Sequence, residues 1–227
     1  FAQEVYKMAL RAYIGDMPSA EDPQQRMDQA KSVMESLNNT VGADDAGKTQ
    51  LVAIYYGMAR DLESQLKLSE STEQRSSLAK GFETFLKEVG EASDEFNVKN
   101  WVAETLNGLG KSFDTGDELT PEARKYYEKS MSTLTGIITK AESDTSWLNA
   151  DEKKAAGYLV QLQLRLARMQ RQLRYFGKAV DSFSRILDGN QMMLEIQVDA
   201  ARTYQQWAAY GQDMDGRPGK DKSGKLI

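Results

Sequence analysis

Residues 42–49 are the first stretch of this chain whose types and spacing could do chemistry. Their sequence, GADDAGKT, matches the pattern GxxxxGK[ST], in which backbone N–H groups at a helix N-terminus surround a phosphate. That loop follows a buried strand, whereas residues 31–40 are polar and have helical periodicity. Asp44 and Asp45 would also repel the phosphate. We therefore interpret the stretch as a turn between two helices.

Acidic residues offer two further candidates. Residues 213–216, DMDG, resemble the start of a calcium loop, but glycine stands at the fourth position instead of the sixth, and Gly224 replaces the glutamate of the twelfth. A carboxylate-based hydrolase needs two carboxylates in one apolar cleft. The clustered carboxylates of this chain lie at polar positions and helix ends, so we predict that they are solvated surface groups and not a hydrolase site. They are Glu70, Glu73, Glu88, Glu91, Asp94 and Glu95.

Composition excludes most other catalytic and metal chemistry. The chain has neither histidine nor cysteine, so it can form no disulfide, zinc finger, iron–sulfur centre or histidine-based triad. Its net charge of −5 counts against a general nucleic-acid role, because phosphate binding needs a basic face. We therefore predict a noncatalytic protein with no cofactor and no metal.

The overall composition is typical of a soluble globular protein, with 227 residues, 40% apolar and 28% charged. The longest uninterrupted apolar run, 51–56, is far too short to cross a membrane, so no membrane insertion is predicted. The chain begins at Phe1, which predicts a processed or trimmed piece of a longer protein. Cytoplasmic and exported locations both stay open.

Helical periodicity must position any functional residues, because apolar residues recur every three or four positions nearly everywhere. Isoleucine and valine together number only 17, few for a protein built on sheets. The pattern predicts nine helices, followed by a flexible tail over 213–227. The helices are expected at about 2–14, 23–37, 47–68, 71–89, 98–113, 121–138, 151–175, 178–187 and 192–210.

The C-terminal third contains a repeat. Leu166 and Ala167 are followed by Ala179, Phe183 and Ile186 in the next helix, and Ala201 stands 34 residues after Ala167. Tyr204 follows Ala201. This arrangement of small and aromatic residues resembles the tetratricopeptide repeat (TPR) over about 160–212.

Weaker versions of the same pattern occur upstream at spacings of about fifty residues. They are the sets Gly110, Phe113, Ala123 and Tyr127; Ala59, Leu62, Ala79 and Phe82; and Ala9, Ala30 and Met34. The TPR resemblance implies an all-α, right-handed solenoid of about four helical hairpins plus a terminal helix. It also implies one domain over 1–212.

Charge is uneven along the chain, because segment 151–189 carries +4 and the remainder −9. In TPR proteins the first helix of each pair lines a concave groove that holds a peptide or protein segment. The resemblance implies these partner-binding residues: Gln161, Leu164, Arg168, Arg171, Gln172, Val198, Arg202, Gln205 and Gln206. Arginine suits carboxylates, so an acidic partner is one candidate. The alternative is a solvated basic face that neighbouring acids balance.

Two other functions stay open. The residues Leu159, Leu162, Leu166, Met169, Leu173 and Phe176 have coiled-coil spacing and could join two copies of the chain. The same residues could instead form the inward face of their helix, so monomer and homodimer are not distinguished. A small-molecule-binding helical domain, working from Tyr, Glu and Lys side chains, is the third function.

Overall fold

The computed structural model describes residues 2–16, 19–41, 53, 54, 57, 64, 71–116, 119–190 and 192–210. These residues form eight α-helices and one short 3₁₀ helix and include no strand, which confirms the all-α prediction. The elements are α1 (Ala2–Asp16), α2 (Pro23–Val41), α3 (Thr72–Ala92), α4 (Phe96–Phe113), α5 (Pro121–Ser143), η1 (Thr145–Leu148), α6 (Glu152–Gln172), α7 (Phe176–Gly189) and α8 (Leu194–Tyr210).

Several predictions from the sequence fall outside the described residues. The stretch over 42–49, the stretch over 213–216 and the predicted tail over 213–227 lie wholly outside them. The predicted third helix, 47–68, lies outside them except at residues 53, 54, 57 and 64, which are helical.

Contacts divide the chain into two compact units, residues 1–102 and 103–227. Each repeat of a helical array contacts only its neighbours, so an array also divides in this way. The single domain over 1–212 and its solenoid arrangement therefore stay predictions.

The first unit contains α1, α2 and α3. Asp22 caps α2, because its Oδ1 accepts a hydrogen bond from the backbone N–H of Gln25 at 3.1 Å. α1 and α2 pack on each other, and both Leu10 of α1 and Ala30 of α2 are buried. The buried side of α3 has the three- and four-residue spacing of an inward helix face: Leu78, Ala79, Phe82, Phe85, Leu86 and Val89.

In the second unit, the end of α4 packs closely on α5. Thr120 caps α5, since its Oγ1 accepts from the N–H of Ala123 and donates to the carbonyl of Phe113. The absence of a side chain at Gly110 permits the close approach, because a Cβ there would lie 2.5 Å from Cε1 of Tyr127. Burial and the hydrogen bond from Tyr127 to Asp114 raise the pKa of Tyr127, so this phenol stays protonated.

α6 and α7 form a hairpin whose core contains four residues of the predicted repeat, whereas Ala201 and Tyr204 of α8 are exposed. Ala167, Ala179, Phe183 and Ile186 are buried in one cluster, together with Leu164 and with Ile196 of α8. The chain reverses at Arg174, which adopts a left-handed conformation with φ of 62°. Four residues of the possible dimer seam are buried and therefore belong to the inward face of the hairpin: Leu162, Met169, Leu173 and Phe176. The other two residues of that seam, Leu159 and Leu166, are half-buried.

Candidate functional site

The residues that the sequence predicts to bind a partner lie on α6 and α8. α8 has two different sides. Its inner side buries Ile196, Asp199 and Thr203. Its outer side, half a turn away, exposes Leu194 and Val198, which are 72% and 46% exposed. Polar groups therefore occupy part of the buried side, while aliphatic groups face outward.

The inner side of α8 is held by an ion-pair cluster on α6. The Nε of Arg168 donates to Oδ2 of Asp199 at 2.7 Å, and Nη1 of Arg171 donates to Oδ1 at 2.9 Å. Arg171 also reaches the Asp199 carbonyl at 3.2 Å, and Arg168 pairs with Glu195. Both oxygens of Asp199 therefore accept from guanidinium groups, and α8 is fixed against α6 by directional contacts.

This cluster is largely withdrawn from solvent. The Asp199 side chain is 6% exposed, and the side chains of Arg168 and Arg171 are 33% and 17% exposed. Burial lowers the pKa of Arg168, but its hydrogen bonds to Glu195 and Asp199 outweigh burial and raise that pKa above its ordinary value. The guanidinium thus stays charged, and the carboxylate remains paired.

The structure separates the predicted binding residues into three groups. Exposed side chains belong to Gln161, Val198, Arg202, Gln205 and Gln206. Arg168, Arg171 and Gln172 are half-buried, and the two arginines are already paired within the chain. The prediction that Leu164 contacts a partner is wrong. Leu164 is fully buried in the cluster that contains Ala167 and Phe183, so it is a core residue and offers no surface to a partner.

The arginines of α6, α7 and the turn between them have partners within the chain. Arg165 pairs with Glu104 at 3.2 Å, Arg174 lies 4.1 Å from the centre of the Tyr210 ring, and Arg185 donates to the Asp181 carbonyl. Burial lowers the pKa of Arg165, and Glu104 opposes that effect. These internal contacts favour the alternative interpretation of the positive charge, in which neighbouring groups balance a basic face.

Arg202 differs from the other arginines. It is exposed on α8, and the structure gives it no ion-pair, hydrogen-bond or ring partner among the described residues. The other six arginines described between residues 103 and 210 each have such a partner: Arg124, Arg165, Arg168, Arg171, Arg174 and Arg185. Among the arginines described between residues 103 and 210, Arg202 is therefore the one whose donors are available to a ligand.

Sequence reasoning missed the roles of Asp199 and Glu195. A signal was present for Asp199, because it lies between Ile196 and Thr203 at the three- and four-residue spacing of a buried helix face. A carboxylate at such a position needs a cationic partner. Arg168 and Arg171, three residues apart on one earlier helix, can reach a single carboxylate together.

The described residues contain neither a metal-binding cluster nor a membrane-spanning helix. No group of three or more Asp or Glu side chains there is arranged to hold a metal ion. None of the helices described combines the length and apolar character needed to cross a bilayer. Comparison of the chain with protein-family models, with curated proteins and with solved structures finds no match.

Proposed function

We propose that this chain is a noncatalytic protein-binding module, a TPR-like scaffold of helical hairpins that binds a protein segment along α8. The observation that carries the proposal is the division of α8 into a paired inner side and an exposed outer side with aliphatic side chains. Exposed aliphatic groups that recur along one helix face are typical of a protein interaction surface.

The packing of α6, α7 and α8 supports the TPR-like part of the proposal. The small residues Ala167 and Ala179 and the aromatic Phe183 share one core, which supports a TPR-like pairing of α6 with α7. Ion pairs add directional contacts between α6 and α8. A surface that is ordered before binding loses little conformational entropy when a partner docks, which favours binding.

The proposed contact residues follow from exposure. They are the exposed residues Val198, Arg202, Gln205 and Gln206 on α8 and Gln161 on α6, while Gln172 is half-buried. Arg168 and Arg171 are proposed to orient α8 through Asp199 instead of contacting the partner. This assignment changes how binding must be tested, since reversing the charge of Arg168 or Arg171 would break internal ion pairs.

Site-specific photocrosslinking tests the proposal without disturbing those ion pairs. A photoreactive phenylalanine analogue would replace Gln205 or Gln206 in the full chain, expressed in cells of its source. Ser184, exposed on α7, is the matched control position. We expect a defined protein adduct from both glutamine positions and none from Ser184, and the purified partner should bind the purified chain. Equal adducts from Ser184, or none from either glutamine, would contradict the proposal.

A further inference from the structure

The outer side of α8 has a regular pattern. Leu194, Val198, Ala201, Gln205 and Ala208 succeed one another at intervals of four, three, four and three residues, and all are exposed. This is the spacing with which one helix packs along another in a coiled coil. The small side chains of Ala201 and Ala208 permit a close approach. We call these five residues the outer stripe.

Arg202 borders the outer stripe. It directly follows Ala201, and on a helix it lies beside the stripe on the side that leads toward Asp199 and Arg168. In a pair of helices, residues that flank the apolar seam form the ion pairs that select the partner. Arg202 occupies such a flanking position, and it has no partner among the described residues. A ligand of the stripe therefore gains an ion pair if it carries a carboxylate.

We propose that the occupant of the outer stripe is an amphipathic helix of another protein. Its aliphatic side chains, at three- and four-residue spacing, pack on Leu194, Val198 and Ala201, and an Asp or Glu beside them pairs with Arg202. This inference rests on the proposed function and specifies the class of partner. Gln205, the polar member of the stripe, fixes the register by accepting or donating a hydrogen bond across the interface.

Charge complementarity favours a helix of another protein over a second copy of this chain as the occupant of the outer stripe. The carboxylates of α8 are Glu195 and Asp199, and both are paired with arginines of α6. A second α8 would therefore bring its own Arg202 but no free carboxylate. Pairing two copies through the stripe would leave both Arg202 side chains unmatched, whereas an acidic amphipathic helix satisfies the arginine and covers the aliphatic groups.

A displayed library of helical peptides tests the proposal on the full chain. The peptides would have the length of α8, 17 residues, with every outward position randomised. We expect selected peptides to carry aliphatic residues at heptad spacing and an Asp or Glu next to them. Val198→Asp should weaken their binding by at least about tenfold, because it places a charge in the seam.

Reversing the charge of Arg202 tests the proposed ion pair most directly. Arg202→Glu should weaken binding of the selected peptides by about tenfold and should itself select peptides with Lys or Arg at the acidic position. Arg185→Glu, the same charge change at an exposed position of α7, is the matched control and should leave binding unchanged. Circular dichroism would show that all three variants are folded.

Four outcomes would overturn the inference. They are no enrichment of helical peptides, selected peptides without a carboxylate, equal binding to the Arg202→Glu variant, or a dimer in light scattering that Val198→Asp dissociates. The last outcome would assign the stripe to a second copy. Photocrosslinks from Gln205 together with a failed library would preserve the proposed function and exclude only the helical class of partner.

Discussion

α7 and α8 follow one another and pack together, yet they are held in place by different interactions. α7, with 14 residues, buries Phe176, Gly177, Ala179, Val180, Phe183 and Ile186. α8, with 17 residues, buries only Ile196, Asp199 and Thr203. α7 thus depends on apolar packing, whereas α8 combines a smaller apolar contact, from Ile196, Ala200 and the stacking of Tyr210 on Phe176, with ion pairs to α6.

This difference explains why the aliphatic residues of α8 are available on its surface. A helix that is secured by directional ion pairs does not need to bury its apolar residues against its own chain. The comparison also predicts that α7 and α8 respond differently to substitution.

The largest effect is expected in the apolar core beneath α7. Phe183 is fully buried, so Phe183→Ala should lower the free energy of unfolding by about 4 kcal/mol, because it removes a buried ring and leaves a cavity. Guanidinium-induced unfolding followed by circular dichroism would measure the change. Ser184→Ala, at the adjacent exposed position, should have little effect. A loss for Phe183→Ala no larger than the control's would show that α7 does not depend on this core.

A somewhat smaller effect is expected from the ion-pair cluster. Asp199→Ala should lower the free energy of unfolding by about 3 kcal/mol, because it leaves Arg168 and Arg171 without their buried carboxylate. Hydrogen exchange should show the loss mainly in α8, with α7 less affected. Asp188→Ala, at an exposed position of α7, is the control. Equal increases in exchange along α7 and α8 would remove the distinction between them.

The smallest effect is expected on the outer stripe. Leu194→Ser should change the free energy of unfolding by no more than about 0.5 kcal/mol, because Leu194 is 72% exposed. Ile196→Ser, two residues away and fully buried, should cost several times more in the same unfolding measurement. If Leu194→Ser destabilised the chain as strongly as Ile196→Ser, the outer stripe would be part of the core and unavailable to a partner.

Local patterns predicted the described helices well because their signals lie within a few residues of one another. Thr120 with Pro121 marked the start of α5, and the interval from Ala167 to Phe183 identified two helix faces that share a core. The predicted third helix is described at only four residues, so its extent stays a prediction. TPR membership likewise stays a prediction.

The candidate site was predicted less completely, because pairing between distant residues leaves no local pattern. The basic character of α6 was evident, but Asp199 lies 28 residues beyond Arg171, and nothing in sequence spacing alone joins them. Leu164 was assigned to the groove by its repeat register, but it is buried in the cluster with Ala167 and Phe183. Val198 and Arg202 are exposed, and their place on the wall of a groove stays a prediction.

The order of residues in the ion-pair cluster has a consequence for synthesis on the ribosome. Asp199 emerges 28 residues after Arg171, an interval of between about 1 and 6 s at ordinary rates of translation. During that interval both arginines can remain hydrated while α6 and α7 collapse around Phe183. The nascent chain is therefore expected to form its hairpin first and to attach α8 last, when the carboxylate arrives to neutralise a basic surface that is already in place.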